Sequence, residues 1–219
     1  MPRKTRWDRV RRSAAELFAT NGFAAASLSQ LARHARVSKP GIYYHVRDKE
    51  ELLFRICEGT MAVLLQSVQA ALRDARDPVS KLRQVIRAHA NHYWEHSWDL
   101  VILFGQRRHL SPSRQRRIIA LERTYLDLVR AIIRDGVRQR VFRPVDPSLA
   151  AFALFAILNT LDAWYDRRGS LRAGELVKQI EQLLFLGLLR RGEAARRRRP
   201  ARRAASRRGA PARAAPRAG

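Results

Sequence analysis

Side chains that suit contact with a nucleic acid are concentrated between residues 27 and 49. A lysine ammonium can reach a phosphate or a guanine edge, and tyrosine and serine hydroxyls can donate to phosphate oxygens. A glycine among them lets a backbone come close to the bases. We therefore expect double-stranded DNA as a partner. The candidate DNA-contacting residues are Ser27, Ser38, Lys39, Pro40, Gly41, Tyr43, Tyr44, His45 and Lys49.

Two short helices must position these side chains. Ser27 and Gln30 form a capping box that predicts a helix over 28–35. Ser38 is an N-cap residue that predicts a helix over 39–46. Two short helices joined by a tight turn are the layout of a helix-turn-helix, in which the second helix lies in the major groove.

Two further helices flank this pair. Apolar residues at helical spacing predict a first helix over 6–20, ended by Asn21 and Gly22. Asp48 and Glu51 form a second capping box, which opens a long fourth helix. The small core that fixes the angle between the short helices comprises Leu28, Leu31, Ala32, Val37 and Ile42.

The rest of the chain is also predicted to be helical, which makes the fold class all-α. Three later helices begin where an Asp or Ser N-cap precedes a proline at the first helical position. No stretch alternates apolar and polar residues for long enough to predict a strand. We predict helices over 78–96, 100–106, 112–140, 147–166 and 172–189.

Charge divides the chain into three parts. The net charge is +25, of which +8 falls in residues 1–47 and +11 in residues 190–219. We predict a DNA-binding domain over 1–47 and a helical regulatory and dimerisation domain over 48–189. Apart from proline, residues 190–219 contain no apolar side chain larger than alanine, so we expect a disordered Arg/Ala/Pro-rich tail.

Composition argues against several other classes of protein. Cys57 is the one cysteine, so neither a disulfide framework nor a cysteine-rich metal site is expected. The apolar run over 149–164 is interrupted and too short for a membrane span. We find no phosphate-binding loop, nucleophile elbow or metal-ligand spacing. The expectation is a cytoplasmic protein that is not an enzyme and has no cofactor, metal or membrane partner.

Residues 6–54 resemble the DNA-binding region of the TetR family of bacterial repressors. Arg36 stands where that family usually has glycine, and Val46 replaces the usual phenylalanine. A left-handed backbone at Arg36 would cost about 1 kcal/mol relative to glycine. The matching positions are Gly22-Phe23, Ser27, Val37-Ser38, Ile42-Tyr43, His45, Lys49-Glu50 and Leu52-Leu53.

The resemblance implies a homodimer held by the last two long helices of each copy. The sequence agrees, because these helices are rich in apolar residues and one copy alone would leave a flank uncovered. The apolar positions are Leu149, Phe152, Leu154, Phe155, Ile157, Leu158, Leu161, Leu176, Ile180, Leu183, Leu184 and Leu188.

Some features are similar to the branch of the family that senses acyl-CoA thioesters, among them Asn91 to Trp94 and Asn159-Thr160. The resemblance implies a small-molecule effector whose acyl chain enters a cavity and whose phosphates meet arginines. Core packing, a solvated turn and dimer packing are the alternative roles of these residues. The candidate ligand residues are Tyr93, Trp94, Leu103, Phe104, Arg107, Arg108, Arg123, Tyr125 and Trp164.

Two functions follow from these patterns. The first is a dimeric transcriptional repressor that binds a palindromic operator and is released by a small hydrophobic effector. The alternative is a non-specific nucleic-acid-binding architectural protein that uses the Arg-rich tail, since such contacts do not read sequence.

Overall fold

The computed structural model describes residues 5–166, 169 and 171–188, and every regular element in that part of the chain is helical. The predicted all-α class is therefore confirmed, while the tail predicted over 190–219 lies outside the described residues. The helices are α1 (Arg6–Asn21), α2 (Leu28–Ala35), α3 (Lys39–Tyr43), α4 (Lys49–Leu72), α5 (Pro78–Gly105), α6 (Pro112–Arg138), α7 (Pro147–Leu158), α8 (Leu161–Trp164) and α9 (Ala173–Leu188), with a 3-10 turn at Arg107–His109.

Caps fix the boundaries of the first helices. Thr5 and Asp8 form a capping box at the start of α1, and Gly22 ends the helix with a φ of 78°. Ser27 and Gln30 form the predicted box at the start of α2. Arg36 ends α2 in the left-handed region with φ 53° and ψ 49°, so the strain expected from the missing glycine is present.

The third and fourth helices differ in detail from the prediction. Helix α3 ends at Tyr43 instead of residue 46. The chain then passes through a turn to Asp48, whose backbone is extended. The predicted second capping box is only half formed. Asp48 accepts a hydrogen bond from the Glu51 N–H, but the Glu51 carboxylate accepts from the Arg47 N–H at 2.8 Å, not from Asp48.

Helix α5 is a single kinked helix, where the sequence predicted two. The backbone of His96 leaves the helical region with φ −134° and ψ 32°, and the helix then continues to Gly105. Next to the kink, the Asp99 carboxylate accepts a hydrogen bond from Arg11 of α1 at 2.7 Å. The kink therefore lies where α5 contacts the DNA-binding unit.

The predicted helix over 147–166 is interrupted. Helix α7 ends at Leu158, and Asn159 and Thr160 separate it from the four-residue α8. Asn and Thr are poor helix formers because their side chains compete for backbone hydrogen bonds. Here the Thr160 hydroxyl donates to the Ala156 carbonyl at 2.7 Å.

Helix α4 connects the two halves of the molecule. Its first turn packs against α1, and its length lies along α5 and α6. The side chains of Leu52, Leu53, Ile56 and Cys57 are fully buried along it. None of the described helices is both long enough and apolar enough to cross a membrane.

Candidate DNA interface and effector cavity

Helix α3 presents one apolar and one polar face. Ile42 is fully buried and anchors the helix against α1 and α2. On the other side, Tyr43 is 49% exposed and Tyr44 is 86% exposed. Lys39 and Pro40 are exposed at the first turn. The Tyr44 ring touches only the edge of the neighbouring His45 ring among the aromatic contacts of the described residues, so this face is available to a partner.

The remaining polar candidates on the DNA-binding unit hold the scaffold in shape. The Ser27 and Ser38 hydroxyls accept hydrogen bonds from the Gln30 and Gly41 N–H groups at 3.2 Å each. His45 is half-buried, and its ring lies 5.3 Å from the ring of Trp7. Their DNA contacts stay predictions.

Lys49 is placed differently from the expectation of a free phosphate-binding cation. Its Nζ donates to the carbonyls of Phe23, Ala24 and Ala26 at 2.7, 3.1 and 2.8 Å, and it lies 4.5 Å above the Phe23 ring. All three ammonium donors are therefore engaged within the protein. The first loop is fastened to α4 by this side chain.

Exposed arginines flank α3 along the chain. Arg33 before it and Arg47 after it were not singled out from the sequence, whereas Arg36, at the turn, was noted there as a departure from the family. Their position beside a helix-turn-helix was the available signal. Together with Lys39 they give this end of the molecule a positive surface, which favours a phosphate backbone.

A cavity of about 310 Å³ lies in the second half of the molecule, between α4, α5, α6 and α7. Its size suits a small ligand, and most of its wall is apolar. The lining residues are Met61, Leu64, His89, Phe104, Arg107, Ile119, Glu122, Arg123, Tyr125, Leu126, Phe152, Phe155 and Asn159.

Four of the nine predicted ligand residues line this cavity, namely Phe104, Arg107, Arg123 and Tyr125. The structure places the other five elsewhere. Leu103 is fully buried in the core, Arg108 is exposed, and Trp164 is half exposed beside Thr160. Tyr93 and Trp94 pack edge to face with ring centroids 4.8 Å apart.

The two ends of the cavity differ in polarity and exposure. At the exposed end, Arg107 donates to both carboxylate oxygens of Glu122, and Arg123 lies in solvent beside them. At the buried end, the phenol of Tyr125 lies 3.1 Å from His89 Nδ1. Burial lowers the pKa of His89 to about 3, helped by His92 and opposed by Asn159. Burial also raises the pKa of Tyr125.

Sequence reasoning missed two polar groups of the cavity, His89 and Glu122, and it named Asn159 only as part of the resemblance to the acyl-CoA-sensing branch, not as a ligand residue. Asn159 carried a signal, since it is the first polar residue to interrupt the apolar run that begins at residue 149. No comparable signal marked His89 or Glu122. Both belong to helices with many polar residues, and only packing shows which of those point inward.

The segment that ends the cavity also touches the DNA-binding unit. Arg107 lies between Gln106, whose side chain accepts from the Phe23 N–H at 3.2 Å, and His109, whose ring stacks on Phe23 at 5.1 Å. Phe23 is in turn held by Lys49. A change at Arg107 therefore has a direct physical path to the helix-turn-helix.

An uncovered apolar surface occupies one side of α7 and α9. Leu149 is 65% exposed and Leu183 is 69% exposed, and Phe152 and Leu186 are exposed beside them. Large apolar side chains exposed to this extent indicate a protein interface. It falls on the helices that the sequence predicted to form the dimer.

An exposed recognition helix on a helix-turn-helix, joined to a helical unit with an internal cavity, defines the class of DNA-binding transcriptional regulators. Two family profiles match the chain: bacterial regulatory proteins of the tetR family over residues 11–56, and the tetracyclin repressor-like C-terminal domain over residues 75–188. The chain belongs to the TetR family, as the resemblance implied.

Similar proteins of known structure support the fold. PfmR of Thermus thermophilus is 36% identical, with 84% of this chain and all of that chain covered at a TM-score of 0.76. AibR, solved with isovaleryl coenzyme A and operator DNA, is 25% identical, with 83% of this chain and 98% of that chain covered at a TM-score of 0.76.

Curated relatives are also regulators. The fatty acid metabolism regulator protein of Bacillus subtilis is 24% identical over 80% of this chain and 92% of its own. The transcriptional activator FasR of Mycolicibacterium smegmatis is 33% identical over 88 residues, which are 40% of this chain and 40% of FasR.

Proposed function

We propose that this TetR-family regulator is a cytoplasmic repressor that binds a palindromic operator as a homodimer. A small hydrophobic effector, for which we favour an acyl-CoA thioester, releases it from DNA. Family membership favours this function over the alternative of a non-specific architectural protein, because the helix-turn-helix is built to read a specific site.

The observation that carries the proposal is the outward face of α3. Tyr43 and Tyr44 are exposed while Ile42, beside them in the chain, is fully buried. The buried Ile42 thus fixes the orientation of the helix, and the side that would enter a major groove is exposed to solvent. In a twofold dimer, two such helices about 34 Å apart would match an inverted repeat.

The effector class is supported by the cavity and by the relatives. The cavity is largely apolar and opens beside Arg107 and Arg123, which suits an apolar chain joined to phosphates. AibR was solved with isovaleryl coenzyme A, and a relative from Bacillus subtilis is named for fatty acid metabolism.

Release from DNA follows from competition at the exposed end of the cavity. An anionic effector would draw Arg107 away from Glu122 and shift the neighbouring Gln106 and His109, which contact Phe23. The two recognition helices would then move relative to one another. The effector must bind the released state about 10⁴-fold more tightly for a nearly complete switch.

Operator recognition is tested by selecting bound duplexes from a random pool with the full-length protein, followed by gel shift. We expect an inverted repeat, and loss of about 100-fold or more in affinity for it in the double variant Lys39→Ala/Tyr43→Phe. Arg117→Ala is the matched control, because it removes an exposed cation that pairs with Glu58 far from α3. Recovery of no inverted repeat would overturn the proposal.

Effector class is tested by titrating isovaleryl-, octanoyl- and palmitoyl-CoA, with free CoA as control, into the protein–operator complex. We expect at least one thioester to raise the melting temperature of the free protein and to dissociate the complex, whereas free CoA does neither. Stabilisation by an unrelated molecule only would dismiss the acyl-CoA class.

A further inference from the structure

The buried end of the effector cavity contains two polar atoms that lack a well-formed hydrogen bond within the described part of the chain. They are His89 Nε2 and Asn159 Oδ1, and Asn159 lies near enough to His89 to raise its pKa as a weak partner, which leaves both atoms able to take a stronger one. His89 is only 1% exposed, and both residues line the cavity. A buried polar atom without a partner is costly, and native proteins rarely leave two of them facing the same space.

The hydrogen bond of Tyr125 fixes which ring nitrogen of His89 carries the proton. The buried Tyr125 hydroxyl needs an acceptor, and among the described residues His89 Nδ1 is the acceptor it reaches, at 3.1 Å. The phenol therefore donates to Nδ1, and the neutral imidazole bears its proton on Nε2. His89 thus offers an N–H donor to the cavity, and Asn159 Oδ1 offers an acceptor.

One donor and one acceptor at the same apolar end match a hydroxyl group. A hydroxyl oxygen can accept from His89 Nε2–H while its proton is donated to Asn159 Oδ1. A carbonyl would satisfy only His89, and a plain alkyl chain would satisfy neither. A carboxylate would need its charge buried against the Asn159 oxygen, which costs far more.

We propose that the effector carries a hydroxyl group on the part that enters the buried end of the cavity, and that His89 and Asn159 select for it. The proposal rests on the cavity being the effector site proposed above. The effector is then an amphipathic molecule with an anionic group near Arg107 and Arg123 and a hydroxyl at the far end of an apolar body.

The same pair of residues connects this recognition to the dimer helices. Asn159 ends α7, and its N–H donates to the Phe155 carbonyl at 2.8 Å. His89 belongs to α5, and Tyr125 to α6. A hydroxyl held between them therefore joins three helices, including one that carries the exposed apolar surface.

The test is calorimetric titration of the full-length protein with two matched sets of ligands. The first set is octanoyl-CoA with its 3-hydroxy and 8-hydroxy derivatives. The second set, which carries no CoA, is 4-ethylphenol with ethylbenzene. We expect the best hydroxylated member of each set to bind about 10-fold more tightly than the unsubstituted one.

Two variants attribute the preference to this site. In His89→Leu/Asn159→Leu we expect the preference to disappear or reverse. In Met61→Leu, an apolar change of similar volume on the same cavity wall, we expect it to persist. Should the double variant not fold, the ¹⁵N resonance of His89 Nε2 in the native protein gives the answer, because a hydroxylated ligand that bonds there should shift it well beyond the shift caused by the unsubstituted ligand of the same set.

The outcomes separate the two proposals. A preference for 4-ethylphenol with no binding of any CoA thioester rejects the acyl-CoA class and retains the hydroxyl. Equal or tighter binding of the unsubstituted members, or a preference unchanged in the double variant, overturns the hydroxyl site. The hydroxyl site is equally overturned if no ligand of either set binds.

Discussion

At the scale of single residues, Lys49 shows how a charge beside a DNA-binding motif can be structural. Its three donors are taken by backbone carbonyls of the loop after α1. Hydrogen bonds to charged groups contribute more than neutral ones. The loop also carries Phe23, which contacts the regulatory half of the molecule.

We predict that Lys49→Met lowers the free energy of unfolding by about 2–3 kcal/mol, because the carbonyls lose a charged donor while the apolar stem is kept. The measurement is urea denaturation followed by circular dichroism. Lys39→Met is the control, since Lys39 is exposed, and it should change stability by less than about 0.5 kcal/mol. A Lys49 variant as stable as the native protein would show that the side chain is free to contact DNA.

Two buried histidines make stability depend on pH. Burial lowers the pKa of His89 to about 3 and that of His92 to about 4. The unfolded chain takes up protons on both rings below about pH 6.5, whereas the folded chain does not until the pH approaches 4. Stability is therefore full above pH 6.5 and is lost as the pH falls.

We predict that lowering the pH from 7.5 to 5 costs about 2 kcal/mol for each of these histidines, as measured by urea denaturation of the ligand-free protein. In His92→Asn the loss over this interval should shrink by about half. Equal stability of the native protein at pH 7.5 and 5 would contradict the lowered pKa values of His89 and His92.

At the scale of elements, one glycine sets how α6 ends. A Cβ atom on Gly136 would lie 2.2 Å from Cδ2 and 2.4 Å from Cε2 of the Phe142 ring. The ring is 1% exposed and folds back against the helix that precedes it. Glycine is needed here for space and not for a positive φ, because its backbone lies within a regular helix.

We predict that Gly136→Ala destabilises the protein by about 1–3 kcal/mol, because the ring must leave its position in the core. Gly59→Ala in α4 is the matched control. Nothing lies within 4 Å of a Cβ at that position, so the helix should gain about 0.5–1 kcal/mol. The melting temperatures of the two variants should move in opposite directions, and a shift in the same direction would refute the steric account.

At the scale of the whole molecule, the exposed apolar surface on α7 and α9 is the surface that the proposed homodimer would bury. Leu149 and Leu183 are among the most exposed large apolar side chains of the described residues. A twofold axis would bring the same surface of each copy together and would also fix the spacing of the two recognition helices. Operator binding and dimerisation are therefore coupled.

We predict that Leu149→Glu/Leu183→Glu weakens the dimer by about 100-fold or more, measured by sedimentation equilibrium. Operator affinity should fall with it although α3 is unchanged. Val63→Glu is the control, because Val63 is an exposed apolar residue on α4, away from this surface. A dimer that survives the double change would place the interface elsewhere.

Much of the DNA-binding unit could be predicted from sequence because its determinants are local. The caps at Ser27 and Ser38, and the apolar spacing that buries Ile42, act over three or four residues. Such patterns are visible in a short stretch of sequence. The left-handed Arg36 was foreseen for the same reason, since the tight turn itself demands it.

The lining of the apolar cavity was predicted only in part because its determinants are distant in sequence. His89 and Tyr93 are four residues apart and lie on nearly the same face of α5, so which of them lines the cavity depends on where along α5 the other helices leave space. The kink at His96 likewise accompanies a contact between Arg11 and Asp99, 88 residues apart. Periodicity finds an apolar face, but it does not say what packs against it.

By itself, then, the amino-acid order determined the helices, their starts and the polar face of α3, since each depends on hydrogen bonds and spacing within a few residues. Only the tertiary structure decided that Lys49 fastens a loop, that His89 and Asn159 share a buried cavity end, and that α5 is one kinked helix. Those outcomes depend on packing between segments far apart in the chain, where close-packed side chains select one arrangement among many that the local pattern permits.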